Sequence, residues 1–147
     1  MLVLAPTREL ALQTFEVCES GGRPLGLRSV CCYGGVPKNP QRQALRDGVH
    51  ILVATPGRLL DLIKEGVCYL TRVSYLVLDE ADRMLDMGFE KDVRTVMSYI
   101  RPDRQTLMFS ATWPRPIQRL ANDFLVSPVQ VTIGLADLNA ARTIEQR

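Results

Sequence analysis

Two acidic residues at the end of an apolar run are the first place in this sequence where chemistry could happen. The run Tyr75-Leu76-Val77-Leu78 passes directly into Asp79-Glu80, which places two carboxylates where a buried strand would emerge into a cleft. An aspartate there can hold a hard Mg²⁺ ion through its water shell, and an adjacent glutamate can orient or deprotonate the water that attacks a terminal phosphate. The same pair also suits a helix N-terminus, where acids cap free amides and lie well in the helix dipole. Taken alone, the two readings weigh the same.

Three other segments have residue types that suit an anion. In Ala5-Pro6-Thr7-Arg8-Glu9-Leu10 the chain leaves a strand and starts a helix, so free backbone N–H groups can face a phosphate. Thr7 can cap the helix or touch the phosphate, and Arg8 can pair with it. Glu9 suits bracing the loop better, because like charges repel, and for Glu9 and Leu10 an ordinary capped helix is the preferred reading. In Thr55-Pro56-Gly57-Arg58 a threonine precedes a proline at the first helical turn, again leaving amides exposed, although a plain helix start would look the same. Gly34-Gly35 lets another backbone approach closely or simply makes a turn. Ser110 and Thr112 end a further run, where their hydroxyls can reach the carboxylate of Asp82; a cap before the proline-rich turn 113–116 would account for only one of them.

The elements that must position these residues are short apolar runs alternating with amphipathic stretches. Residues 2–5, 27–33, 50–54, 75–78, 106–110 and 129–133 read as strands, and 7–18, 39–47, 57–64, 89–99 and 116–124 as helices. Such alternation predicts an α/β fold, a parallel sheet with helices on both faces, whose ligands gather at the strand C-termini. The pairs Gly21-Gly22, Gly34-Gly35, Asp47-Gly48 and Pro102-Asp103 read as turns within one domain, and the pattern fades from Gly134 to Arg147.

Composition narrows the function classes. A length of 147 residues allows one domain with a sizeable core, and a net charge of +2 favours an anionic partner only weakly. Cys18, Cys31, Cys32 and Cys68 show no C-x-x-C pair or framework spacing and read as buried thiols in a reducing, intracellular compartment, nuclear or cytoplasmic. No apolar stretch approaches the ~20 residues of a membrane span. With His50 as the only histidine, zinc-protease and Ser-His or Cys-His chemistries drop out, and His50 reads as structural.

The full string Val77-Leu78-Asp79-Glu80-Ala81-Asp82-Arg83-Met84-Leu85-Asp86-Met87-Gly88-Phe89 resembles motif II of the DEAD-box RNA helicases. Ala5-Pro6-Thr7-Arg8-Glu9-Leu10, Gly34-Gly35, Ala54-Thr55-Pro56-Gly57-Arg58 and Ser110-Ala111-Thr112 resemble motif Ia, the glycine pair, motif Ib and motif III in the order that family uses. Ser110-Ala111-Thr112-Trp113-Pro114 with Arg101-Pro102-Asp103-Arg104-Gln105-Thr106 is most similar to its p68/Dbp2-like branch. The resemblance implies part of a first RecA-like domain of the P-loop NTPase type, residues 1–133, followed by an interdomain linker or tail, 134–147. It implies ATP and Mg²⁺ as cofactors. Asp79 and Glu80 would be catalytic, Asp82 would join them at the nucleotide, and Asp79 would meet Mg²⁺ through water. Pro6, Thr7, Arg8, Gly34, Gly35, Thr55, Pro56, Gly57 and Arg58 would contact the RNA sugar-phosphate chain, single-stranded or duplex, without reading bases. Asp82, Ser110 and Thr112 would couple the two sites.

The resemblance has a gap. A nucleotide hydrolase of this class needs G-x-x-x-x-G-K-[ST], and no such string occurs here; residues 21–29 come nearest but carry Leu27-Arg28 in place of Lys-[ST]. In the family that loop and the adenine-reading Q motif precede motif Ia, and a second RecA-like domain follows. The phosphate-loop strand would lie between the motif III strand and the last one, so the sheet is expected to be incomplete on the N-terminal side, and the chain to be a monomer or an aggregation-prone fragment. The parent activity implied is ATP-dependent remodelling of RNA duplexes or RNA–protein complexes, with the isolated chain inactive as an ATPase. Two alternatives stay open: a weak, ATP-independent single-stranded RNA-binding module, and a non-catalytic protein-interaction fragment.

Overall fold

The computed structural model describes residues 1–134. Its strands are the short apolar runs: β1 (Leu2–Leu4), β2 (Ser29–Cys32), β3 (Ile51–Ala54), β4 (Tyr75–Leu78) and β5 (Gln105–Met108). All are parallel, in the order β2-β3-β1-β4-β5. Parallel neighbours need crossovers. These come from α1 (Arg8–Gly22), α2 (Asn39–Arg46), α3 (Pro56–Lys64) and the pair α4 (Ala81–Asp86) and α5 (Glu90–Ser98), with α6 (Arg115–Phe124) after the last strand.

Alternate side chains of each strand point to opposite faces of the sheet. Leu2 and Leu4 enter the larger core with Leu59 and Leu62 of α3, Val93 and Val96 of α5, and Ile117 and Leu120 of α6. Val3 and Ala5 enter a smaller one with Ile51, Val53 and Ala11 of α1, flanked by Leu10 and Phe15. Burying a leucine of this kind stabilises by about 1.5–3 kcal/mol. Helices therefore cover both faces, as the alternation predicts, but unevenly.

Three readings need correction. Residues 129–133 form no strand: Val129, Val131 and Ile133 are 88%, 77% and 96% exposed. Their β-branched side chains favour extended backbone, but a strand is stable only when a neighbour about 4.8 Å away takes its N–H and C=O groups. The segment instead lines an open groove of about 720 Å³ with β5 and Phe124. Gly21-Gly22 is no turn either, because α1 runs through it. A Cβ on Gly22 would lie 3.2 Å from that of Leu27, so the small residue serves close packing. Finally, only Cys32 and Cys68 are buried, while Cys18 and Cys31 are half-buried. Burial pushes Cys31 and Cys68 up to about 11 and Cys32 to about 12, so these thiols stay protonated and unreactive.

His50 has the structural role expected, its Nδ1 accepting the Arg28 N–H at 3.0 Å. The linker or tail expected from Gly134 to Arg147 lies, beyond Gly134, outside the described residues. Among the described residues no helix is long and apolar enough to cross a membrane.

Candidate functional site

The parallel register brings every candidate residue to one end of the sheet. Leu4 lies opposite both Ala54 and Leu78, Ala54 opposite Cys32, and Leu78 opposite Met108. The following segments therefore emerge side by side, in the order 33–35, 55–58, 5–8, 79–82 and 109–112. The ladder continues one residue beyond the strands and pins the first residue of four of them. Ala5 N–H donates to Ala54 C=O, Thr55 N–H to Cys32 C=O and Asp79 N–H to Leu4 C=O, each at 3.0 Å, and Phe109 N–H to Leu78 C=O at 2.9 Å.

The β4-β5 part of this edge has the acids. Asp79 is half-buried, and its Oδ1 accepts the Glu80 N–H at 3.0 Å. Glu80 is exposed and left-handed, with φ 46° and ψ 55°. That conformation costs a residue with a Cβ about 1–2 kcal/mol. Hydrogen bonds on either side enforce it, because Asp79 N–H is held by β1 while Ala81 N–H donates to Phe109 C=O at 2.9 Å. Strain of this sort gathers at functional sites, and no sequence signal marked it here.

Asp82 is the hinge between the β4 and β5 loops. Its Oδ2 accepts both the Thr112 hydroxyl at 2.8 Å and the Thr112 N–H at 2.9 Å, while Oδ1 accepts the Arg83 N–H at 3.0 Å. Partial burial works against ionisation, but the bonds from Thr112 and Arg83 outweigh it and hold the carboxyl below its usual range. Ser110 itself donates its hydroxyl proton to Thr112 C=O at 2.8 Å. Of the two hydroxyls read toward Asp82, Thr112 makes the bond and Ser110 braces its loop. Both oxygens of Asp82 are thus engaged by protein donors, whereas the carboxylate of Glu80 and the second carboxylate oxygen of Asp79 accept no hydrogen bond among the described residues.

No group of three or more His, Cys, Asp or Glu among the described residues could cage a metal ion. The carboxylates of Asp79 and Glu80 are nevertheless the hard oxygen donors Mg²⁺ takes. That ion usually keeps several waters and is held by one or two carboxylates together with substrate phosphates. The pair fits one half of such a site.

The β2-β3-β1 part of the edge is uncharged backbone with two arginines. Thr7 caps α1, its Oγ1 accepting the Leu10 N–H at 3.3 Å, and Glu9 is exposed in the first turn. Arg8 lays its guanidinium over the Tyr33 ring, 4.9 Å from the centroid, which ties the start of α1 to the end of β2. Pro6 and Pro56 are buried, so their side chains shape the loops. Thr55 makes no capping bond, and helix geometry leaves the N–H groups of Gly57 and Arg58 without intrahelical partners. A Cβ at Gly34, Gly35 or Gly57 would meet nothing within 4 Å, and Gly35 has φ 79°. These glycines leave open space above the backbone.

Arg58 is committed to the protein by two of its donors. Nη1 donates to Gln41 Oε1 and Nη2 to Val36 C=O, both at 3.0 Å. Gln41 was not singled out from the sequence, where one more amide in a polar helix looks like a solvated residue.

Residues 1–120 match the DEAD/DEAH box helicase family model. The ATP-dependent RNA helicase DBP2 of Eremothecium gossypii is 58% identical over 146 residues, 99% of this chain and 26% of that protein. That of Lodderomyces elongisporus is likewise 58% identical, and that of Schizosaccharomyces pombe 57%, with the same coverage. Among solved structures, the yeast DEAD-box splicing factor Prp28 aligns with a TM-score of 0.87 at 35% identity, over 92% of this chain and 32% of that one. The chain spans about a quarter of the length of the curated relatives it matches, and its sheet has the RecA-like α/β fold. With the motif strings, the register and these matches in agreement, the chain belongs to the DEAD/DEAH box helicase family.

Proposed function

We propose that this chain is the part of an ATP-dependent RNA helicase that grips the RNA sugar-phosphate backbone and supplies the metal-and-water half of the ATP site. The observation that carries this reading is the division of the strand-end edge. Three neighbouring loops offer open glycines and unpartnered helix-start amides, and two adjacent loops offer Asp79 and Glu80, with the Thr112–Asp82 bonds tying the loops of β4 and β5 together.

ATP with Mg²⁺ supplies the phosphoryl group whose transfer to water drives the cycle. Asp79, steadied by the Glu80 N–H, would hold the ion through water. Glu80, thrust out of the turn by its left-handed backbone, would orient the attacking water and take its proton. The amides at Gly34, Gly35, Gly57 and Arg58 would bind phosphates and sugars and hold a strand of any sequence. A second RecA-like domain would close on the same edge. We place the protein in a reducing intracellular compartment, nuclear or cytoplasmic.

The 147 residues contain no G-x-x-x-x-G-K-[ST] string to surround the β- and γ-phosphates, so this chain alone turns over no ATP. The open glycines favour one second reading, a single-stranded RNA-binding module that ignores ATP. The deciding experiment is RNA-stimulated ATP hydrolysis by the purified chain, with Glu80→Gln as control, alongside a salt titration of homopolymer RNA binding with and without ATP. Absence of hydrolysis supports the incomplete ATP site, and salt-dependent RNA binding that ignores ATP then favours the second reading for the chain by itself. Hydrolysis that Glu80→Gln abolishes would show that phosphate binding is supplied by residues not assigned to it, and absence of RNA binding would remove the RNA assignment.

A further inference from the structure

One buried amide holds the loops that follow β2 and β3. Gln41, in α2, is 7% exposed and is the only buried polar or charged residue among those described. Both ends of its amide are used: Nε2 donates to Tyr33 C=O at 3.1 Å, and Oε1 accepts from Arg58 at 3.0 Å. Arg58 then reaches past Gln41 to Val36 C=O. The glycine pair is thus gripped on both flanks, at residue 33 by Gln41 and at residue 36 by Arg58, and the grip is anchored in the first turn of α3. A planar guanidinium suits this work because its donors form a rigid fork that bridges two acceptors.

Packing does not hold the glycine pair in place, since a Cβ on either glycine would meet nothing within 4 Å. Lys38 and Arg42 of the α2 region pair with Glu65 at the far end of α3, at 2.8 and 3.0 Å, but such partly exposed ion pairs contribute little. The satisfied buried amide is the stronger restraint, because breaking it would strand a polar group away from water.

We propose that Gln41 and Arg58 are positioning residues that set the spacing between the glycine-pair loop and the first turn of α3, so that both present backbone N–H groups to one RNA strand. Arg58 acts on RNA through this clasp instead of by pairing with a phosphate. A strand's phosphates recur at a set interval, so two groups of donors engage it together only if their separation is held. A loose loop would have to be ordered at the moment of binding, at a cost in affinity. The inference rests on reading this edge as the RNA-gripping one.

Its test has one measurement that needs no RNA and one that does, both on the 147-residue chain well below its melting midpoint. In amide hydrogen exchange of the free protein, Gln41→Ala and Arg58→Ala each loosen the end of β2 and the start of α3, and speed exchange about tenfold at Thr55, whose N–H donates to Cys32 C=O, and at Leu59, whose N–H donates to Thr55 C=O. Unchanged exchange in both variants overturns the clasp. In salt titrations with oligouridylate, Gln41→Ala, which removes no charge, weakens binding about tenfold, and the double variant is no weaker than Arg58→Ala alone. Arg58→Lys, which keeps the charge and loses the fork, behaves like Arg58→Ala, and the salt slope stays the same in all four. Direct phosphate pairing would instead lower the slope by about 0.7 in Arg58→Ala, restore affinity in Arg58→Lys and leave Gln41→Ala at full affinity, and that pattern overturns the proposal. Faster exchange in the two variants, together with a wild-type chain that binds no RNA, would overturn the reading of this edge and the clasp's role on RNA, while still showing that the clasp exists.

Discussion

Strands β3 and β5 are each four residues long and parallel to their neighbours, yet Ile51 to Ala54 are all buried, while Gln105 is exposed and Thr106, Leu107 and Met108 are half-buried. The difference comes from neighbours: β3 lies between β2 and β1, while β5 among the described residues pairs only with β4 and faces an open groove. The contrast extends to the loops. Past β3 the chain is gripped by a buried amide and a forked guanidinium. Past β4 and β5 it is held by a partly exposed carboxylate and a backbone hydrogen bond, and it carries a strained residue. The half assigned to RNA is preorganised, and the half assigned to nucleotide stores strain beside an unfilled edge. Such an arrangement suits a site that changes state during a cycle joined to one that only holds.

The largest expected effect separates the halves by chemistry. In a helicase carrying this segment together with a phosphate-binding loop, Asp79→Asn or Glu80→Gln lowers steady-state ATP turnover by roughly 10²–10⁴-fold, while nucleotide-free binding to single-stranded RNA is retained. Equal losses in both assays would erase the division. Next comes packing: Leu52→Ala in β3 costs about 2–5 kcal/mol in urea unfolding, and Leu107→Ala in β5 less than half of that, because a half-buried side chain leaves little cavity. Similar costs would mean that the edge is as well packed as the centre.

A smaller effect concerns the Asp82 link. Its carboxyl is depressed in the folded protein, so its stabilisation is complete above the ordinary value of 3.8 and fades as the pH falls through the lower folded value. Thr112→Val keeps the backbone N–H bond and loses the hydroxyl, so it lowers stability at neutral pH by under about 1 kcal/mol and shrinks the acid-induced loss. An acid profile identical to wild type would deny Asp82 that role. Of similar or smaller size, and opposite in sign, Glu80→Gly relieves the left-handed strain and raises stability by up to about 1 kcal/mol while removing the carboxylate. Destabilisation by that variant would mean that the turn is not strained.

Much of this was legible in the sequence because the determining interactions are local. Short apolar runs gave the strands, glycines and prolines marked the loops, and the acids after β4 announced a cleft. The Thr112–Asp82 bond was foreseeable because both residues follow strands whose ends must align in a parallel sheet. Other features left no local trace. Helix α4 is only six residues long, Glu80 takes its φ from bonds to β1 and β5, and residues 129–133 have the composition of a strand but no described neighbour to pair with.

By itself, then, the sequence determined the kind of fold, the family, and the set of residues that meet at the strand ends, since each follows from patterns within a few positions of one another. Only the tertiary structure decided what those residues do with their hydrogen bonds. It turned Arg58 inward onto Gln41, assigned Asp82 to Thr112 and Ser110 to a carbonyl, and placed Glu80 in the left-handed region. A donor's partner depends on which groups burial leaves within about 3 Å of it, and that is settled only when distant segments pack.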